Sequence, residues 1–491
     1  MRKVVTAGQA IVDGLVRNGV RHIFGIPGVH TYSLIDALAE RQGEIAYLGT
    51  RHEQGAAYMA YGYACSSGRV GAYTCVPGPG VLNTSAALCT AYAANAPVLC
   101  LTSEVFSHEI GRGHGILHEL PDQLAILRGL TKWSARISHP GEAPRLVARA
   151  FEELTSGRRR PVALECPWDT LGQKAEVELD VSACPMAPPL PDPEAIERAA
   201  KLIASATAPL IMVGSGALGA GAEVLELARL LQAPVTAHRS GRGIVSEDSP
   251  FGLDLAAAYA LWAKTDVLLA IGTRMELQFI RWKQVPSDLR IVRIDIDPTE
   301  MPRRPTEVGV LDAIRAVLPR DGFFVEEISQ VGFTARFGFP VYEPRTYVAS
   351  GYQDNLGFGY MTSLGVKVAN PTRAVVSVNG DGGFMFGVQE LATAVQHRIG
   401  SVAIVFNNQS FGNVLRDQKT TFGGRLLGEA LRNPDFVKLA ESFGAAGYRA
   451  ATAGQLRSAL ERALADDAPA LIEVPGEPGA EVSPWPFIHR G

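Results

Sequence analysis

Short apolar runs rich in β-branched residues alternate along the whole chain with longer Ala- and Leu-rich amphipathic runs. Such repetition buries both kinds of face only when the strands lie parallel in sheets and the helices cover them. The predicted fold is therefore α/β, with parallel sheets flanked by helices. In the first stretch the pattern predicts helices at Ala7–Asn18, Tyr32–Glu40, Glu53–Ala64, Gly80–Ala93 and Ala143–Ser156. Strands are predicted at His22–Gly25, Ile45–Leu48, Val70–Thr74, Val98–Thr102 and Val162–Glu165.

A Pro-dense stretch, Cys184-Pro-Met-Ala-Pro-Pro-Leu-Pro-Asp-Pro193, reads as a linker. Beyond it strands are predicted at Leu210–Val213, Val235–Ala237, Val267–Ile271 and Arg290–Ile296, ending near Pro305. A helix at Asp312–Leu318 then precedes strands at Phe323–Glu326, Ala374–Val378, Ser401–Phe406 and Ala470–Val474. At roughly 100–200 residues per domain, 491 residues allow three, expected at 1–170, 190–311 and 312–491.

Lys and Arg number 46 against 50 Asp and Glu, and no dense basic run occurs. This balance argues against nucleic acid or an anionic membrane surface as a partner. No run approaches the ~18 apolar residues of a membrane span. Six cysteines stand singly, without a Cys-x-x-Cys pair, as expected of small buried residues in a reducing, cytoplasmic setting. Met1-Arg2-Lys3 is basic, but Gln9 and Asp13 interrupt the run behind it, which reads as a first helix and not as a signal peptide.

The 51 glycines exceed the usual ~7% of a chain this long and follow no period. Their most informative cluster ends a strand, in Val375-Val-Ser-Val-Asn-Gly380-Asp381-Gly382-Gly383-Phe384. The next strand, Val402–Phe406, ends in Asn407-Asn408-Gln409-Ser410. In a parallel sheet both ends lie on one edge, where open α/β folds bind ligands. A carboxylate, an amide oxygen and a backbone carbonyl are hard ligands suited to Mg²⁺, and glycines let backbone N–H groups approach a diphosphate. Either turn alone would be an ordinary turn.

Together the two turns resemble the cofactor-binding signature of thiamine-diphosphate enzymes, which begins Gly-Asp-Gly and ends Asn-Asn one strand later. The resemblance implies thiamine diphosphate, with Gly380, Gly382 and Gly383 at its phosphates. It also implies Mg²⁺, or another divalent cation, on Asp381, Asn408 and the main chain of Ser410. A second half-site is offered by Thr50-Arg51-His52-Glu53-Gln54-Gly55-Ala56-Ala57-Tyr58. By itself Glu53 is a helix-start carboxylate favoured by the helix dipole. Beside the first motif, the segment resembles the region of the catalytic glutamate in the acetolactate synthase, benzaldehyde lyase and 2-oxo acid decarboxylase branch. There the carboxyl promotes the imino tautomer of the aminopyrimidine, whose nitrogen removes the thiazolium C2 proton.

Further segments follow in the family's order. Phe24-Gly-Ile-Pro-Gly28-Val-His30 looks like a substrate-side loop, and Gly78-Pro-Gly80-Val-Leu-Asn83 like the next glycine turn, which places Gly80 and Asn83 at the cofactor. Gly351-Tyr-Gln-Asp-Asn-Leu356 matches the stretch whose large apolar side chain forces the cofactor into a V. Gln330-Val-Gly332-Phe333 lies where relatives begin to enclose its phosphate end. His118 falls at or next to the position of an active-site glutamine, and His30 where some benzaldehyde-lyase-like enzymes carry a histidine, so both are candidate proton-handling or orienting residues. Asp417 stands where biosynthetic acetohydroxyacid synthases usually have a substrate-sizing tryptophan, against a branched-chain biosynthetic role.

The resemblance implies addition of the cofactor to a 2-oxo acid, loss of CO2, and protonation or carboligation of the resulting enamine, in a homodimer or homotetramer with active sites at the subunit interface. An acyloin or benzaldehyde lyase, or a diketone hydrolase acting on acyloins or related carbonyl compounds, stays open. So does a non-catalytic homologue. A literal Gly-x-Gly-x-x-Gly at Gly214–Gly219 raises a flavin- or NAD-dependent oxidoreductase, but the following strand, Val235-Thr-Ala-His238, lacks an acid for the ribose. Acetolactate synthases often bind FAD in this middle domain; the shortened stretch after Ile294-Asp-Ile-Asp297 argues against FAD here.

Overall fold

The computed structural model describes residues 2–187, 191–275, 282, 285–286, 288–297, 314–315 and 317–479. The expected end of the second domain near Pro305 and the 311/312 boundary lie outside these residues. The chain divides into two compact units. One comprises Met1–Ala187, Ser350–Asn370 and Gln389–Ile399; the other comprises Pro188–Ala349, Pro371–Val388 and Gly400–Gly491. Two pieces of the expected third domain thus cluster with the N-terminal one.

The first unit is built on six parallel strands in the order Ala46–Gly49, His22–Gly25, Gly71–Cys75, Val98–Glu104, Val162–Pro167 and Trp133–Arg136. The three central strands Gly71–Cys75, Val98–Glu104 and Val162–Pro167 are buried at every position, as expected where helices cover both faces of a sheet. The helix Ala7–Arg17 starts at a capping box: Thr6 Oγ1 accepts the Gln9 N–H and Gln9 Oε1 accepts the Thr6 N–H, satisfying two otherwise orphaned donors. Its Ile11 and Leu15 pack with Leu99, Leu164 and Phe151, each worth about 1.5–3 kcal/mol when fully buried.

Two helices of this unit, Glu53–Ser67 and Phe358–Ala369, are apolar around most of their circumference and pack against each other. They touch backbone to backbone. A Cβ on Gly62 would lie 2.1 Å from the Thr362 carbonyl oxygen, and one on Gly365 would lie 1.9 Å from that of Met59. Only glycine permits this approach.

Several elements differ from the sequence reading. Arg2–Thr6 is a strand paired antiparallel with Lys174–Glu178, a pairing carried by partners distant in sequence. Trp133–Arg136 is an edge strand of intermediate burial, too polar to show an apolar run. The expected helix Gly80–Ala93 is two helices, Pro79–Asn83 and Ser85–Ala93, meeting at Thr84, whose hydroxyl turns back to the Val81 carbonyl at 2.8 Å. Cys75, Cys100 and Cys166 are buried as expected, while Cys184 is exposed; all six cysteines are free thiols.

The second unit holds two parallel sheets. The smaller has the order Gly252–Leu253, Val235–Ala237, Pro209–Val213, Val267–Ile271 and Arg290–Ile294. The larger has the order Tyr347–Val348, Phe323–Glu326, Val375–Gly380, Val402–Asn407, Ala470–Pro475 and Ala446–Arg449. Fully buried Arg242 joins them: it pairs with Glu247 at 3.0 Å and donates to the carbonyl of Ala335 at 2.7 Å. A second buried pair, Arg336 with Glu326 at 2.7 Å, is completed by the Tyr347 hydroxyl. Breaking either pair by removing one partner would leave an uncompensated buried charge.

Candidate active site

In the larger sheet of the second unit the first strand in sequence, Phe323–Glu326, lies beside the third, Val375–Gly380. The chain leaves this pair in opposite directions along the sheet, which makes their carboxyl ends the switch point where open α/β sheets bind ligands. Asp381 is the first residue past the third strand and starts the short helix Asp381–Phe384. The adjacent fourth strand, with Phe406 in register with Gly380, delivers Asn407 and Asn408 to the same edge. The expected meeting of these two turns at one sheet edge is thus present.

Side chains tie the edge together. Asp381 is buried; its Oδ1 accepts the Gly382 N–H at 2.9 Å and its Oδ2 accepts Asn433 Nδ2 at 2.7 Å. The same Asn433 nitrogen donates to Asn407 Oδ1 at 2.9 Å. Burial pushes the Asp381 carboxyl above its ordinary value, and the bonds from Gly382 and Asn433 oppose that shift. Gln409 is left-handed, with φ 56°, which folds the turn back so that the Ser410 N–H reaches Asn408 Oδ1 at 3.0 Å. Ser410 is pinned on both flanks, by Leu431 N–H to Gln409 O and by Phe411 N–H to Glu429 O, each at 2.8 Å. Its buried hydroxyl has no partner, and neither has the buried amide oxygen of Gln330 on the neighbouring helix Gln330–Gly338. Gly332 in that helix has its N–H taken by Ser329 Oγ at 3.0 Å, and a Cβ there would strike the Glu327 carbonyl. Asn433 was not predicted; the Asn-Pro turn at 433–434 is the one local signal that marks it.

In the first unit Glu53 is the first residue of the helix Glu53–Ser67, directly after the N-cap His52, whose Nδ1 accepts the Gln54 N–H. Asn83, expected at the cofactor, donates to Glu53 Oε2 at 2.9 Å. It ends the helix Pro79–Asn83, which begins at the Gly78 turn with φ 63° and carries Gly80 buried in its first turn. The Gly78 N–H is held by Gln123 Oε1 at 2.9 Å, while Gln123 Nε2 donates to Ser103 O and Glu165 Oε2. Gln123 is a fully buried support that the sequence reading did not single out. Leu356 is half-buried, between Asn355, anchored to Ala86 O and Thr90 Oγ1, and left-handed Gly357. It is therefore not a plain core residue.

His30 and His118 do meet. Their rings stack at 4.8 Å between centroids, and His30 packs on Trp168 at 4.6 Å. His30 Nε2 lies 3.0 Å from the Leu117 carbonyl. A carbonyl only accepts, so Nε2 carries the proton and Nδ1 is left as an acceptor. Burial pushes His30 below the ordinary imidazole range, keeping it neutral near pH 7. The Nδ1 atoms of both rings are buried without a partner. His118 itself is left-handed, φ 68°, an uncommon state for a non-glycine residue that is often found at functional sites.

Residues 5–126, 196–320 and 327–474 match, in that order, the N-terminal TPP binding domain, the central domain and the C-terminal TPP binding domain of the thiamine pyrophosphate enzymes. The chain belongs to this family. It is similar to a probable 2-ketoarginine decarboxylase of Pseudomonas aeruginosa, with 33% identity covering 96% of this chain and 94% of that one. It is also similar to a probable acetolactate synthase large subunit of Methanocaldococcus jannaschii, with 32% identity over 97% and 92%, and to an acetolactate synthase of Arthrospira platensis, with 31% over 96% and 94%. The first alignment spans 533 positions, more than the 491 residues of this chain, so that relative carries segments this chain lacks.

For a thiamine pyrophosphate enzyme the residues at the larger sheet's edge fit the cofactor's charged end. The donors are the Asp381 carboxylate, the Asn408 amide oxygen and the main-chain carbonyl of Ser410, all oxygen ligands of the kind Mg²⁺ takes. Among the described residues no cluster of three His, Cys, Asp or Glu side chains offers a metal site of another type. Two of the three glycines of the Gly214–Gly219 motif are needed for packing. Added Cβ atoms on Gly214 and Gly216 would lie 2.4 Å and 2.7 Å from the backbone of Gly272, so close chain packing requires them. Among the described residues no helix is long and apolar enough to cross a membrane.

Proposed function

We propose that this thiamine pyrophosphate enzyme is Mg²⁺-dependent and cleaves or forms the carbon–carbon bond next to the carbonyl of a 2-oxo acid. The observation that carries the reading is the gathering of Asp381 and the Asn408–Ser410 turn at one switch-point edge. Asp381, Asn408 and the main chain of Ser410 would hold the cation, and the backbone of Gly380, Gly382 and Gly383 would bind the diphosphate. Bound thiamine diphosphate supplies the electron sink that the bond cleavage needs. Glu53, with Oε2 held by Asn83, holds and returns a proton through its carboxyl. Leu356, half-buried, would be the apolar support that the resemblance assigns to the cofactor. The relatives named as a decarboxylase and as acetolactate synthases support CO2 release followed by protonation or ligation. A homodimer or homotetramer in the cytoplasm is the expected working form.

A second reading, cleavage of an acyloin or a diketone, is favoured by the stacked His30 and His118, whose two partnerless ring nitrogens can orient a hydroxyl or a water. Incubation with thiamine diphosphate, Mg²⁺ and panels of 2-oxo acids and acyloins separates the two. CO2 release from a 2-oxo acid supports the first, and CO2-free aldehyde formation from an acyloin supports the second. Absence of cofactor binding in calorimetry would overturn both.

A further inference from the structure

In the first unit, three residues, Thr50 to His52, connect the strand Ala46–Gly49 to Glu53. The connection is gripped by one helix, Glu390–His397, which in sequence follows the Asp381 turn. Glu390 is completely buried, and its two carboxylate oxygens lie 3.1 and 3.2 Å from the Arg51 backbone nitrogen, accepting its N–H. The Thr393 hydroxyl donates to Glu390 Oε2 at 2.5 Å. Room for this carboxylate exists because residue 55 is glycine: a Cβ there would lie 2.6 Å from Glu390 Oε1. At the other end of the helix, His397 Nε2 donates to the Gly49 carbonyl at 3.0 Å. The Arg51 side chain reaches Gln396 Oε1.

Glu390 and His397 are seven residues apart and so lie on one helix face. Between them they satisfy the last carbonyl of the strand and an amide two residues later, at positions where the connection has no ladder of its own. Burial pushes the Glu390 carboxyl above its ordinary range, against the pull of Thr393 and the backbone N–H of Arg51. Keeping such a group buried is costly unless every bond it makes is in place.

We propose that the helix Glu390–His397 is a clamp that sets the position of the Glu53 carboxyl, with Glu390 and His397 as positioning residues. The proposal rests on the reading of Glu53 as the proton-handling residue. Its force comes from the steep dependence of catalysis on placement, where an error of about 1 Å costs about 10²-fold.

The test uses the full chain and the variants Glu390→Ala, Glu390→Gln, His397→Ala and Glu53→Gln. Amide hydrogen exchange without cofactor should show the peptide covering residues 49–55 deprotected by about tenfold or more in Glu390→Ala, with the neighbouring strands unchanged. With cofactor bound, C2 deuterium exchange should slow about 10²-fold in Glu390→Ala and about tenfold in His397→Ala, with little change in cofactor affinity. Glu390→Gln keeps the volume and one acceptor, so it should fold even if the alanine variant does not, and should fall between wild type and Glu390→Ala. Loss of thermal stability and cofactor affinity with unchanged C2 exchange per bound cofactor would mean a merely structural role and overturn the clamp. If Glu53→Gln exchanges like wild type, it is the reading of Glu53 that fails. Slow exchange in Glu53→Gln beside wild-type exchange in the Glu390 and His397 variants overturns the clamp alone.

Discussion

The sheet of the first unit and the larger sheet of the second place their six strands in the same spatial order: second, first, third, fourth, sixth, fifth. The likeness extends to side chains. Arg136 on the fifth strand of one sheet is in register with Glu165 on the sixth, and Arg449 is in register with Glu473 in the other. Both arginines donate through Nε, at 2.6 and 2.9 Å. What differs lies past the strand ends. After its third strand the first sheet has the Gly78–Gly80 turn, whereas the second has Asp381. The fourth strand closes on Glu104 in one and Asn407 in the other. One scaffold therefore serves twice, and the chemistry is decided by a few loop residues at the carboxyl edge.

If the roles proposed for Glu53 and Asp381 hold, removing the one carboxylate and removing the other must fail in different ways. Glu53→Gln should leave thiamine diphosphate binding close to wild type and lower turnover by about 10²–10⁴-fold; turnover near wild type would remove Glu53 from the chemistry. Asp381→Ala should weaken Mg²⁺-dependent cofactor binding by about 100-fold, the top of the range for losing even an outer partner of a metal site. An unchanged dissociation constant in calorimetry would refute the ligand assignment and, with it, the contrast between the two edges.

The places of both residues were readable from local signals, while the roles proposed for them come from the resemblance. Asp381 sits in a glycine turn that closes a continuous apolar strand, and Glu53 opens a long Ala-rich helix. Asn433, Gln123 and Glu390 were not legible. Each is a polar residue whose importance comes from a partner far along the chain: Asn433 from Asp381, Gln123 from Gly78 and Glu165, Glu390 from Arg51. The fifth strands, Trp133–Arg136 and Ala446–Arg449, escaped for the same reason. Their arginines look like loop residues until the glutamate on the neighbouring strand is in place. The parallel α/β class was readable throughout, since apolar runs and amphipathic runs alternate whatever the loops carry.

The glycine contacts of the first unit allow a sharper test of packing than of chemistry. Gly365→Ala forces a methyl against the Met59 carbonyl, at 1.9 Å before any relaxation. It should cost about 3 kcal/mol in denaturant unfolding. Gly129→Ala, in the helix Gln123–Leu130 with nothing within 4 Å of an added Cβ, is the matched control and should gain up to about 1 kcal/mol. Equal effects of the two would show that the helices Glu53–Ser67 and Phe358–Ala369 do not touch at Gly365.

A smaller effect than that of Gly365→Ala is expected at the fourth-strand ends, where the two sheets make opposite choices. In the larger sheet of the second unit Asn407 Nδ2 donates to Glu473 at 2.7 Å, so the sixth-strand glutamate faces an amide. In the first sheet the corresponding neighbour of Glu165 is another carboxyl, Glu104. Burial pushes Glu104 up to about 7, and Glu165 adds to the shift against the Val105 N–H and Arg136. The ordinary value is near 4.5, so between about pH 4.5 and pH 7 the folded chain holds more protons than the unfolded one. Stability contributed by this site is therefore full below about pH 4.5, falls as the pH rises, and is fully lost above about pH 7. Glu104→Gln gives the first sheet an amide in place of that carboxyl and should remove the dependence, raising stability at pH 8 by about 2 kcal/mol relative to wild type. Urea midpoints at pH 5 and pH 8 decide it. If wild type and variant lose stability in parallel across that interval, Glu104 is already ionised in the folded chain, and the two strand ends are electrostatically alike.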